Sequence, residues 1–71
     1  MIDAVNEIET RFTYHAPKGS QPKRYEDIRA NGKLMAQLIV GSCPECRETA
    51  LALTKIEEAV MWANAAIARR E

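Results

Sequence analysis

Apolar residues recur at helical spacing along two long stretches of this chain. Tyr25, Ile28, Gly32, Met35, Ala36 and Ile39 follow the i, i+3, i+4, i+7 pattern. They line one face of a helix expected from about Pro22 to Val40. Ser20 is placed to cap it, and a proline near the first turn lacks only an N–H that would find no partner there. Gly41 supplies the stop signal. Ser42-Cys43-Pro44-Glu45 then reads as a capping box, with a carboxylate three residues after the cap. From Pro44 to Arg70 nothing interrupts the second helix, whose length would be about 40 Å. Arg69 and Arg70 close it, where the helix dipole favours cations.

Two long helices joined by so short a connection fold back as an antiparallel hairpin. The second helix is apolar on more than the face a hairpin uses. Thr49, Leu53, Ile56, Val60, Ala63 and Ile67 form one stripe. Leu51, Ala59, Trp62 and Ala66 fall nearly opposite at about 100° per residue. Leu34 and Leu38 likewise lie off the main stripe of the first helix. One face closes the hairpin, and the other exposes a tryptophan and several aliphatics unless another chain covers them. Ala59, Ala63, Ala65, Ala66 and Ala68 allow close helix approach, although alanine is also simply a good helix former. The expected fold is therefore all-α: an antiparallel two-helix hairpin with an N-terminal arm, assembling into a helical oligomer. Residues 1–21 are the arm and 22–71 the hairpin, within a single domain.

The arm ends in Ala16-Pro17-Lys18-Gly19-Ser20-Gln21, a loop signal. Residues 2–9 suit a short helix that is marginal without packing. Phe12-Thr13-Tyr14-His15 reads as extended. At 71 residues and two cysteines, the chain is too short for a large core and has no disulfide framework. No run of 18 apolar residues suggests a membrane span. The acidic opening lacks the basic-then-apolar order of a secretion signal, so a cytosolic setting is expected.

Net charge is zero, which argues against generic DNA or RNA binding. Its distribution is uneven. Residues 11–33 carry Arg11, Lys18, Lys23, Arg24, Arg29 and Lys33 against only Glu26 and Asp27. Such a stretch is either solvated helix surface or a holder of a small anionic ligand.

Candidate catalytic chemistry is sparse. Cys43-Pro44-Glu45-Cys46 resembles a redox pair at a helix start, but no strand precedes it as in a thioredoxin-type unit. Zinc would need four ligands, and His15 is the only further His or Cys, although two copies can pool two pairs. The plainer reading is a helix cap and a surface thiol. His15 has no nucleophile and orienting carboxylate at a suitable spacing. Glu57 and Glu58 are adjacent and point about 100° apart, so they form no dyad. Gly19 and Gly32 are isolated, so there is no phosphate loop. No enzyme, cofactor or metal is expected.

Binding has more support. Phe12, Tyr14 and His15 alternate with Arg11 and Lys18 just before a helix start. Aromatic faces stack on bases, worth about 1–3 kcal/mol per base. Cations and helix N-terminal N–H groups hold phosphates. Arg29 neighbours Tyr25 and Gly32 on the helix. Gly32 costs about 1 kcal/mol against alanine. It makes room either for a ligand against the backbone or for another helix.

These residues resemble a known family. Arg11-Phe12-Thr13-Tyr14-His15, Gln21-Pro22-Lys23-Arg24-Tyr25-Glu26, Ile28-Arg29, Cys43-Pro44, Arg47-Glu48 and the run from Leu51 to Ala65 are similar to small phage proteins of the anti-CBASS and Thoeris anti-defence hairpin family. The resemblance covers nearly all of residues 11–71. It implies helical hairpins assembling into homo-oligomers, often hexamers, in the host bacterial cytoplasm. It also implies sponges that hold cyclic oligonucleotide or cyclic ADP-ribose-type signals without cleaving them. Tyr14, Ile28-Arg29 and Gly32 keep the family's spacing, with arginine where the family has lysine. The resemblance implies that Tyr14 stacks on a base and Arg29 meets phosphate, with Lys23 or Arg24 assisting. Asn31 matches a position beside a separate cyclic-trinucleotide site, and Arg69 stands in for the late-helix arginine of that site. The expected function is therefore sequestration of cyclic oligonucleotide signals. Its rivals are a protein-interaction module using the second apolar face, and a redox or zinc protein built on Cys43 and Cys46.

Overall fold

The computed structural model describes residues 3–71. Met1 and Ile2, which open the arm and the expected short helix, lie outside the described residues. Three helices follow in order: α1 (Ala4–Phe12), α2 (Gln21–Ser42) and α3 (Arg47–Arg70). The all-α expectation holds, and α2 and α3 pack as an antiparallel pair.

α1 is longer than the arm suggested. The Asp3 carboxylate accepts from the N–H groups of Val5 (3.1 Å) and Asn6 (3.4 Å), satisfying two first-turn donors. The helix then runs through Phe12, so the extended segment begins at Thr13. α1 is also tied to the far end of α3. Glu7 accepts from Arg11, one turn on, and from Arg70. This double hydrogen bond, first from Arg70 and then from Arg11, holds the Glu7 carboxyl down at about 2.

α2 starts where Pro22 indicated, but Ser20 makes no side-chain cap. Its hydroxyl oxygen instead accepts from Arg24 Nε at 3.1 Å. The stop at Gly41 does not occur. The helix continues to Ser42, and the Cys43 N–H still donates to Ile39 O at 2.9 Å. The second helix therefore cannot start at Pro44. The capping box goes unused, and α3 begins at Arg47 after Cys46. Local capping grammar lost to chain reversal: Cys43–Cys46 are needed to turn between the two helices.

The seam is the stripe read from the sequence. Thr49, Leu53, Ile56, Val60, Ala63 and Ile67 of α3 are all partly covered, as are Ile28, Gly32, Ala36 and Ile39 of α2. Met35 is the exception and remains exposed. Closest approach comes at Gly32, where an added Cβ would sit 2.6 Å from Val60 Cγ2. The space that glycine leaves is thus filled by the opposing helix.

The open end is closed by polar groups. Gln21 is 3% exposed and is the one buried residue among those described. Its amide nitrogen donates to Glu71 Oε1 (3.0 Å) and to Ile67 O (3.4 Å), and its carbonyl accepts from the Lys18 N–H (3.1 Å). Arg24 adds a bidentate pair to Glu71, at 2.7 and 2.6 Å. Arg24 and Gln21 together hold the Glu71 carboxyl down at about 2. No apolar side chain is fully buried among the described residues. Leu34, Leu38 and Trp62 remain 63%, 62% and 63% exposed.

Candidate functional site

The extended segment Thr13–Ala16 carries the chain from the end of α1 toward α2 and sets His15 beside both long helices. His15 Nε2 lies 2.7 Å from Thr10 O, which fixes the ring against the last turn of α1. Beside it is an open depression of about 320 Å³, lined by His15, Tyr25, Arg29, Asn64, Ala65 and Ala68. α2 contributes Tyr25 and Arg29 from successive turns, and α3 contributes Asn64 and Ala68 in the same way. Tyr14, next in the chain to His15, is 83% exposed, and so is Phe12.

Arg29 makes no ion pair among the described residues. Its neighbours on α2 do. Lys23 donates to both Asp27 oxygens, at 2.9 and 3.2 Å, and Asp27 holds its ammonium charged to higher pH than usual. Arg24 is held by Glu71. To meet a phosphate, either would have to exchange a carboxylate for it, whereas Arg29 would not. Asn64 adds a second unsatisfied group, because its buried Oδ1 has no hydrogen-bond partner. An unfilled acceptor of this kind suits a ligand that brings an N–H or O–H.

Of the remaining predicted residues, Asn31 and Arg69 fall elsewhere, while Gly32 also borders a second depression together with Arg29 and Lys33. Asn31 and Gly32 border a largely apolar groove with Met35, Ile56 and Ala59. There the Asn31 amide donates to its own helix, at Asp27 O (2.8 Å). Arg69 lines a third depression with Arg11, Trp62 and Arg70, a cationic patch beside the exposed indole. The structure thus brings His15 and Arg29 together and separates them from Asn31 and from Arg69. Sequence reasoning missed Asn64. Its signal was a polar residue one step beyond Ala63 of the seam, in a helix that is otherwise apolar there.

Among the described residues no cluster of three or more His, Cys, Asp or Glu is placed to hold a metal ion. No helix described is long and apolar enough to cross a membrane.

The fold defines a class first: all-α proteins built on an antiparallel hairpin. Residues 4–68 match the family described as Acb2/Tad1, hairpin domain, and the chain belongs to that family. It is also similar to "Thoeris anti-defense 1" of Bacillus phage SBSphiJ7, 46% identical over 46 residues. That stretch is 65% of this chain and 32% of the relative, so the chain spans about a third of the relative's length. No solved structure matches it.

Proposed function

We propose that this protein is a phage anti-defence sponge. It binds cyclic oligonucleotide immune signals, such as cyclic dinucleotides, cyclic trinucleotides or cyclic ADP-ribose isomers, in the host cytoplasm. It keeps them from CBASS- or Thoeris-type receptors without cleaving them. The observation that carries this reading is Arg29: a cation free of carboxylates, in a depression with His15 and Tyr25 and next to the exposed Tyr14. A planar base stacks on Tyr14, and Arg29 meets a phosphate. Family membership and the anti-defence name of the phage relative point the same way.

Each depression is shallow on a single hairpin. Sequestration against a receptor needs a dissociation constant well below micromolar, beyond about −8 kcal/mol. The sponge therefore works as a homo-oligomer in which a second copy closes each ligand site, excludes water and preorganises the contacts, and the family resemblance implies a hexamer. Trp62, Leu34 and Leu38 supply the apolar surface for that assembly. The same exposed face favours one other reading, a module whose outer face docks a host protein.

A panel of cyclic di- and trinucleotides and cyclic ADP-ribose isomers, titrated by calorimetry, tests the proposal. At least one ligand binds below micromolar and is recovered intact after heat release. A panel without binding, or ligand recovered as fragments, contradicts a sponge.

A further inference from the structure

We propose that Cys43 and Cys46 form a reversible dithiol–disulfide couple that locks the turn of the hairpin, with Cys46 as the attacking thiol. Cys43 is the cap residue just after α2 and Cys46 the cap residue just before α3. Both are exposed and free. Each is anchored to its own helix: the Cys43 N–H donates to Ile39 O (2.9 Å), and Cys46 O accepts from the Ala50 N–H (3.1 Å). Only Pro44 and Glu45 lie between them, and the proline ring restricts that bridge. A bond between the two sulfurs therefore joins helix to helix rather than two points within one helix.

The two thiols are not equivalent. The α3 N-terminus receives no side-chain cap, so its first-turn N–H groups have no side-chain acceptor. A thiolate at Cys46 supplies one. Thr49 Oγ1 lies 3.4 Å from Cys46 Sγ and 2.6 Å from Pro44 O, so its hydroxyl can turn from that carbonyl to the sulfur when the thiol ionises. Through this hydroxyl and its N–H, Thr49 draws the Cys46 thiol below its ordinary value, against the opposing Glu48 carboxylate.

The oxidant is a low-molecular-weight disulfide such as glutathione disulfide. The Cys46 thiolate attacks one of its sulfurs, the oxidant's S–S bond breaks, and one glutathione thiolate leaves and is protonated. The Cys43 thiolate then attacks the Cys46 sulfur and expels the second glutathione. The protein loses two electrons and two protons, and the oxidant gains both as two thiols. The consequence is mechanical. The open end of the hairpin is held by Gln21, Arg24 and Glu71, and the disulfide fixes the opposite end.

The full chain is equilibrated in glutathione buffers of graded ratio, quenched with a maleimide and weighed intact. The expected product is lighter by two hydrogens, carries no glutathione and has no thiol left to alkylate. Its ratio to the reduced form rises tenfold for each tenfold rise in [GSSG]/[GSH]². Cys43→Ser takes up one glutathione at Cys46 at least about fivefold faster than Cys46→Ser does at Cys43. Circular dichroism verifies that both variants keep their helices. Disulfide-linked dimers, glutathione adducts on both cysteines without ring closure, or equal rates in the two variants overturn the proposal.

Discussion

The inner and outer faces of the hairpin are built from the same kinds of residue and meet different fates. On the inner face, Ile28, Gly32 and Ile39 meet Leu53, Ile56, Val60 and Ile67, and all are partly covered. On the outer face, Leu34, Leu38, Leu51 and Trp62 are as apolar and stay in solvent. What separates the faces is the opposing helix, which reaches only one of them. The lesson is quantitative. A chain with no fully buried apolar side chain among its described residues leaves much of its hydrophobic stabilisation unrealised, at about 25 cal/mol per Å² of apolar area. A second copy is the simplest way to realise it.

Trp62→Glu attacks the outer face alone and has the largest expected effect. Light scattering should show the assembly collapsing toward the 8.0 kDa single chain with helix content largely kept. An unchanged mass would mean that the outer face is not the assembly surface.

Tyr14→Ala and Arg29→Ala come next. Each should weaken cyclic dinucleotide binding by tenfold or more, about 1.4 kcal/mol or beyond, while leaving the oligomer intact. Unchanged affinity in both would place the ligand somewhere else.

Gly32→Ala attacks the inner face. Removing a mid-helix glycine favours the helix by about 1 kcal/mol, but the new methyl meets Val60 at 2.6 Å. Val60 is β-branched and cannot readily rotate away. We expect the clash to win, at about 1–3 kcal/mol by denaturant melts. Adding Val60→Ala should restore part of the loss. A stabilised Gly32→Ala would show that the seam is looser than its geometry.

The smallest effect concerns acid. Glu7 and Glu71 titrate at about 2 in the fold, below their ordinary 4.5. Their ion pairs therefore contribute fully above about 4.5, and that contribution fades as pH falls toward 2. Arg24, Glu71 and Arg70 are solvent-exposed while Glu7 is largely covered, and the exposed partners keep the slope in melting temperature shallow. Glu7→Gln with Glu71→Gln should flatten it further, and an unaltered slope would assign the acid sensitivity to other carboxylates.

Period was legible in the sequence, and partners were not. The helical stripe of Leu53, Ile56, Val60 and Ile67 predicted the seam, and Pro22 marked the start of α2, because both are local signals. The grip of Glu71 on Arg24 and Gln21 joins residues some fifty positions apart, and no spacing rule reports it. The capping box at Ser42 misled because a local motif ignores the room a chain needs to reverse. Tyr25 and Arg29 were readable as helical neighbours. Asn64 beside them was not, since only the packing of α3 on α2 brings it there.

Native mass spectrometry of the chain incubated with a cyclic dinucleotide tests the central claim most directly, because assembly and intact ligand are read in one spectrum. The account predicts a multimer heavier by whole, uncleaved ligand molecules. A lone chain of 8.0 kDa carrying no added mass would contradict it.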